Sequence, residues 1–420
     1  MGERGPERVD VAIVGAGAAG LSLAAALARS GWAGSLALVE DGSAPLEDRA
    51  WAWWSAGGGP MDDAASGSWS RVRLAGEGWA REGPLAPLAY RAIGGEGLAS
   101  VADAALARAE RAGRVRVRRV RGRALSAVPE GPGGGAQVVI EDPAGARVDL
   151  RARWVFDSVG LGRDMGARVG AGSGAGGAAG LAAGQAAAAR LDFHGVRVTA
   201  PRDVFDRDTV TLMDFRTDQA DGVAFVYVLP TSARAALVER TVYAFGASAP
   251  SPHRPHLHAY VRDVLGLGAQ GSGTWEEAGE ERGTIPLHRR PPDVADGPLV
   301  PVGARAGLVR ASTGYGFARM QRHAEAIAAA LAAGRDPAHA TSPRRWPGVL
   351  DGALLRIVHR NPDGARDVFG ALWRRNPPAR VLRFLEEQAS PREQALVIAS
   401  LPGFVPAAWR AAVAARRRTL

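Results

Sequence analysis

Val9-Asp10-Val11-Ala12-Ile13-Val14-Gly15-Ala16-Gly17-Ala18-Ala19-Gly20, continued by Leu21 to Arg29 and by Ser35 to Glu40, decides the fold. Val9 to Val14 is a short apolar run, Leu21 to Arg29 an alanine and leucine helix, and Ser35 to Glu40 a second strand, so the chain opens as a βαβ unit. Between strand and helix, Gly15, Gly17 and Gly20 match G-x-G-x-x-G. Glycines at those places permit a tight turn, close backbone approach to a pyrophosphate and close packing of helix on strand. The amino end of the helix then faces the phosphate charge. Glu40 closes the second strand about twenty residues after the last glycine, where an acid can accept hydrogen bonds from an adenosine ribose. A lone glycine motif is weak in a chain rich in Ala and Gly; its place between strand and helix makes it strong. NAD stays open, but a distal segment, Val302-Gly303-Ala304-Arg305-Ala306-Gly307, suits a flavoprotein, whose isoalloxazine must be held by a second region. FAD is the expected cofactor.

Working outward, a helix from Ala99 to Arg111 precedes strands at Arg114 to Val120, Gln137 to Ile140 and Trp154 to Asp157. Gly160 to Ala189 is almost pure Gly and Ala and reads as a connection. From Phe193 to Phe245 the pattern turns to β, with Val223 to Leu229, a Pro230-Thr231-Ser232 turn and Ala236 to Phe245 forming a hairpin. Leu299 to Gly307 returns to the first unit, a helix spans about Tyr315 to Ala333, and beyond Pro337 the chain is helical and punctuated by Pro362, Pro377-Pro378, Pro391 and Pro402. The expected fold class is α/β: an FAD-binding Rossmann-like domain (residues 1–75, 99–165 and 290–335), an inserted β-rich substrate lobe (76–98 and 190–289) and a C-terminal helical region (336–420).

A chain of 420 residues buries enough surface for two packed domains. All 52 basic residues are arginine, as a strongly biased genome would give, which weakens any reading of the net charge of +9. The arginines are scattered, and the Arg116 to Arg123 run alternates with valine like an exposed strand, so no nucleic-acid partner is expected. Absence of cysteine excludes disulfides, thiolate metal sites and cysteine nucleophiles. The eight histidines lack paired zinc spacing, and His253, His256 and His258, beside Pro252 and Pro255, read as surface residues of a turn-rich segment; no metal is expected. No apolar run approaches the roughly 18 to 20 residues of a membrane helix, and the amino terminus is a short polar lead, so a cytoplasmic location is expected.

Several motifs together resemble the lycopene cyclase family of flavoproteins, over about Val9 to Phe317. Arg49-Ala50-Trp51-Ala52-Trp53-Trp54 resembles the family's R-T-W-x-x-W segment, and Leu212-Met213-Asp214-Phe215-Arg216 with Gln219 its M-D motif. Phe225-Val226-Tyr227-Val228-Leu229-Pro230, followed by Leu237-Val238-Glu239-Arg240-Thr241, is similar to F-x-Y-x-L-P and L-I-E-D-T. Glu280-Glu281-Arg282-Gly283-Thr284-Ile285-Pro286-Leu287 resembles E-x-G-x-I-P, and Pro301 to Gly307 through Ser312-Thr313-Gly314-Tyr315 the flavin-proximal stretch. Two departures stand out. The second acid of E-D-T is Arg240, leaving Glu239 alone, and the family's H-P-x-T-G-Y is Arg310-Ala311-Ser312-Thr313-Gly314-Tyr315, without its histidine.

The resemblance implies closure of a linear carotenoid end, as in lycopene, into a six-membered ring with no net redox change, requiring reduced FAD and NAD(P)H as reductant. Such an isomerisation needs a neutral, water-shielded acid, because an alkene is a very poor base, and burial in an apolar pocket supplies one. Glu239 is the expected acid and, once deprotonated, the expected base. In strand geometry Leu237, Glu239, Thr241 and Tyr243 share one face and Val238, Arg240 and Val242 the other, so Arg240 should point away; the bland alternative makes both polar residues of an edge strand. Asp214 is expected to orient Glu239 or the flavin, or to cap a turn. Gly314 joins Gly303 and Gly307 as a flavin contact. Trp51, Trp53, Trp54, Phe225 and Tyr227 are expected to line the substrate slot and stabilise a carbocation, by about 1 kcal/mol each, with plain core as the alternative role for at least two. A substrate dissolved in bilayer implies peripheral membrane contact, by arginine-flanked helices near Leu372 to Phe384 unless these only pack against the domain. Rival readings are a flavin hydroxylase or isoprenoid reductase on the same architecture, and a non-catalytic flavin or carotenoid binder. Oligomeric state is not legible.

Overall fold

A computed structural model describes residues 7–42, 46, 49–131, 133–161, 189–246, 251–268, 274–287, 295–340, 345–401 and 403. The elements run β1 (Glu7–Val14), α1 (Ala18–Arg29), β2 (Gly34–Glu40), β3 (Ala50–Ser55), β4 (Gly67–Trp69), β5 (Arg71–Gly76), β6 (Trp79–Pro84), β7 (Ala89–Gly94), α2 (Gly95–Arg111) and β8 (Val115–Arg121). Then follow β9 (Arg123–Pro129), β10 (Ala136–Glu141), β11 (Arg147–Asp157), β12 (Arg190–Thr199), β13 (Thr209–Asp214), β14 (Ala224–Pro230), β15 (Ala235–Ala244), α3 (His253–Asp263) and β16 (Glu276–Pro286). The chain continues through β17 (Leu299–Pro301), α4 (Phe317–Ala332), α5 (Arg345–Arg360), α6 (Pro362–Arg374), α7 (Pro378–Leu385) and α8 (Pro391–Ser400). The glycine-rich connection expected from Gly160 to Ala189 falls almost wholly outside the described residues.

The first sheet has the order β8-β2-β1-β11-β10-β9, with β17 also paired to β11. β8, β2, β1, β11 and β17 are parallel, and β9 and β10 join antiparallel. Val11, Ile13, Leu36, Leu38 and Phe156 meet α1, α2 and α4 on one face, while Ala12, Val14, Val39, Val138 and Ile140 form a second core on the other. Burial on both faces explains why β1 and β2 read as near-continuous apolar runs. The arginine-rich β8 lies at the sheet's edge, as its alternation indicates.

The second sheet, β16-β12-β15-β14-β13-β5-β6, is antiparallel except where β13 runs parallel to β5. Arg71 to Ala75, assigned from sequence to the first unit, belongs to this sheet instead: its alternation buries Val72 and Leu74 against Leu212 and the C-terminal helices. A small sheet, β3-β7-β4, lies outside both larger sheets. Side-chain alternation splits the second sheet into two faces. Val196, Val226, Val228 and Val238 pack under α3, whereas Leu191, Phe225 and Tyr243 pack against Leu355, Val358 and Phe369 of α5 and α6. His253, His256 and His258, expected in a turn, lie on α3, and burial pushes the His253 imidazole down to about 4. Each of α6, α7 and α8 begins at a proline, whose fixed φ and missing N–H suit the first helical position.

Candidate active site

The glycine turn is forced by contacts rather than by composition. Gly15 has φ 99°, and a Cβ there would lie 2.2 Å from Ser158 Oγ. A Cβ on Gly20 would lie 1.9 Å from the carbonyl oxygen of Gly15. Gly17 differs, with nothing within 4 Å of its Cβ position, and it caps α1 without a side-chain hydrogen bond. The uncapped amino end of α1 therefore opens onto free space, and unpartnered N–H groups there favour an anion. Gly303, φ 64°, comes so close that its Cβ would stand 2.9 Å from Ala19 Cβ, which brings the distal segment to the same helix end. Asp157 braces the opposite lip, its Oδ1 accepting from the Val159 and Gly160 amides at 2.8 and 2.7 Å. Glu40 is exposed at the end of β2, beside the turn. Gly307 and Gly314 have φ of 69° and 73°. This cradle fits a dinucleotide pyrophosphate at a helix end. Gly20→Ala is expected to leave the purified chain without bound flavin, read by its visible absorption, since a methyl group cannot occupy a space 1.9 Å from a backbone oxygen.

Glu239 lies in β15, an interior strand between β12 and β14 and not at an edge. Its register partners are Tyr227 on β14 and Gly195 on β12, and Gly195 is in turn opposite Glu281 on β16. Thr241 Oγ1 donates to Glu239 Oε1 at 3.0 Å. Glu239 retains partial surface exposure, yet protein packs around it closely. Burial first, and the neighbouring Glu281 second, push its carboxyl well above the usual range. The carboxyl's neighbours are a second acid and the phenols Tyr90, Tyr227 and Tyr315, none of which supplies a positive charge. The Tyr227 and Tyr315 hydroxyls are 3.3 Å apart, and burial keeps all three phenols neutral by raising them. Arg240, as alternation requires, points to the other face, where it is fully buried and donates to Asp218 O and Asp221 Oδ2 at 3.3 Å.

Beside this row an apolar cavity is walled by Phe225, Tyr227 and Tyr243 of the sheet, by Tyr315, and by Phe369 and Leu372 of α6. Glu239 is not in the wall itself but stands next to it, across the strand pair from Tyr227. The five aromatic residues expected to line a slot divide. Phe225 and Tyr227 do line the cavity, their rings 5.3 Å apart. Trp54 stands behind it, edge-on to Tyr315 at 4.9 Å, with Nε1 donating to Leu382 O. Trp51 and Trp53 face the other way, packing on Phe317 of α4 in the core of the first sheet, where Trp53 Nε1 donates to Asp62. Period-2 alternation along β3 separates them.

Asp214 is not brought to Glu239. Its register partner is Val226, so it lies on the face under α3, with its carboxylate taken up by Arg216 Nε at 2.9 Å and Tyr260 Oη at 2.8 Å. This ion pair fixes the end of β13 and orients neither Glu239 nor the flavin turn. Arg310, which replaces the expected histidine, is buried and grips Asp351 of α5 through Nε at 3.1 Å, with Ser312 Oγ also donating to Asp351 at 2.6 Å. Sequence reasoning missed Asp351, Tyr90 and Glu281, whose meaning depends on contacts between distant strands and helices. Leu372, Trp373, Val381 and Leu382, considered for membrane contact, are buried, so these helices pack against the domain. Among the described residues no cluster of potential metal ligands occurs and no helix is long and apolar enough to cross a membrane.

The fold is shared with solved flavoproteins. A flavoprotein/dehydrogenase from Cytophaga hutchinsonii superposes with a TM-score of 0.59 at 15% identity, over 94% of this chain and 99% of that one. A geranylgeranyl bacteriochlorophyll reductase-like protein from Thermoplasma acidophilum gives 0.54 at 17% identity, over 97% and 96%. Lycopene beta-cyclase from a Paracoccus species is 33% identical over 124 residues, a stretch that spans 28% of this chain and 30% of that enzyme. The profile described as lycopene cyclase protein matches residues 10–411, nearly the whole sequence. The chain belongs to the lycopene cyclase protein family.

Proposed function

We propose that this protein is an FAD-dependent lycopene cyclase that converts an end of lycopene, or a related linear carotenoid, into a β-ring by acid–base chemistry without net redox change. The observation that carries the reading is Glu239, a carboxyl pushed well above its usual range by burial and by Glu281, beside an apolar cavity and neutral phenols. An acid held neutral until the alkene arrives can transfer its proton to it. Protonation at the terminal double bond leaves a tertiary cation, ring closure forms a carbon–carbon bond, and loss of a ring proton to the Glu239 carboxylate restores the acid. Phe225 and Tyr227 face the space in which that cation forms, and an aromatic face stabilises a cation without capturing it. Gly15, Gly17, Gly20 and Gly303 would hold the FAD pyrophosphate and Glu40 its ribose. Reduced flavin supplies negative potential near the cation when bound, and NAD(P)H would keep it reduced. Because lycopene is dissolved in bilayer, substrate is expected to enter at a membrane surface.

Expression in lycopene-producing cells tests the reading. Extracted pigment is expected to contain γ- or β-carotene, absent from cells without the gene; unchanged lycopene alongside folded, flavin-loaded protein would remove the cyclase assignment.

A further inference from the structure

We propose that Glu281 forms a carboxyl pair with Glu239 that shares a single proton, and that Glu281 is thereby the positioning residue that keeps Glu239 in its acid form. The inference deepens the cyclase reading and rests on it for its consequence in turnover. Its basis is the register of three strands. Glu239 on β15 and Glu281 on β16 are not neighbours in the sheet; β12 runs between them, and the residue of β12 opposite both is Gly195. A Cβ at Gly195 would stand 3.1 Å from Glu281 Cγ and 3.2 Å from Glu239 Cβ. Any other residue would fill the gap through which the two side chains lean. With glycine there, the two side chains can approach each other over the middle strand.

Two carboxyls in contact cannot both ionise without strong repulsion, so one retains a proton over a wide pH range. The surroundings decide which one. Glu239 faces Thr241 on its own strand and the phenols Tyr90, Tyr227 and Tyr315, all neutral. Glu281 lies on the edge strand, and Arg197 approaches it from the solvent side, Nη2 to Oε2 3.6 Å. Glu281 is thus the member of the pair beside a cation, and Glu239 the member beside the cavity. Arg240 lies on the opposite face and does not contribute. The same arrangement gives Glu239 a route for proton exchange with solvent that bypasses the apolar cavity.

The test is an infrared pH titration of the protonated-carboxyl C=O stretch in the flavin-loaded protein without carotenoid, together with the pH profile of cyclisation. Wild type should show a high-frequency band that Glu239→Gln removes. In Glu281→Gln the like charge is gone, so that band should titrate away about one pH unit or more lower, and the alkaline limb of cyclisation should move with it. A band titrating at the wild-type pH in Glu281→Gln overturns the pair, as does an activity loss uniform across pH, which is what a purely structural role would give. Should Glu281→Gln fail to fold, Glu281→Asp decides: its shorter side chain keeps the charge but withdraws from Glu239, so a smaller shift in the same direction is expected, and none overturns the proposal. Because the titration needs no substrate, failure of wild type to cyclise lycopene removes the parent reading and leaves the carboxyl result standing.

Discussion

Glu239→Gln is expected to lower cyclisation by about 10³-fold or more while leaving flavin absorption unchanged. Glutamine preserves shape and can still accept from Thr241, but it has no acidic proton to give an alkene. The same substitution should stabilise the fold in a pH-dependent way. Burial and Glu281 raise the Glu239 carboxyl in the folded protein, so above its unfolded-state value the unfolded chain holds fewer protons than the native one and stability falls as pH rises. The contribution is fully present below the unfolded-state pKa and is lost as pH climbs through the raised native value. Melting temperatures of wild type and Glu239→Gln should therefore differ least in acid, with the variant pulling ahead towards alkaline pH. A constant offset across the range would mean that the native carboxyl is not elevated.

Asp351→Asn is expected to cost about 3 kcal/mol of stability, at the lower end for a broken buried ion pair. Arg310 is 5% exposed, and Asp351 accepts from its Nε and from Ser312 Oγ. Glu387, at 3.4 Å, and the Leu385 carbonyl, at 3.2 Å, remain to the guanidinium, which keeps the loss from being larger. The contrast is Asp363→Asn on the next helix, whose partner Arg366 is reached from a side chain 86% exposed; that change should stay within about 0.5 kcal/mol. Urea midpoints at a common slope measure both. A comparable loss in the two variants would deny the Arg310 contact its role in fastening α5 to the turn that ends at Tyr315.

The difference between these two sites shows what a sequence exposes. The glycine turn was legible because its rule is local and steric: Gly15 and Gly20 meet each other's backbone within six residues. Glu239 was legible through its motif and through strand alternation, which also placed Arg240 on the far face. What alternation could not show was register between strands, which left Asp214 between orienting Glu239, orienting the flavin and capping a turn; its strand presents it under α3, where its Oδ1 accepts from the Arg216 amide at 3.0 Å. Glu281 was quoted within a motif without any role, because its meeting with Glu239 depends on a glycine in a third strand. Trp51 and Trp53 carry the same chemistry as Trp54; alternation along β3 puts them on the other face, but only folding shows that Phe317 covers that face and that Trp54 backs the cavity through Tyr315. Asp351 lies on a helix whose pattern gives no reason to single it out; only folding brings it to Arg310.

Turnover in deuterated buffer tests the central claim most directly. If Glu239 gives an exchangeable proton to the carotenoid and a carbon-bound proton is then lost, each ring closed should carry one deuterium, and reductant should be consumed in far less than one equivalent per product. A product carrying two added hydrogens, formed with one equivalent of NAD(P)H, would contradict acid–base cyclisation and assign the site to reduction instead.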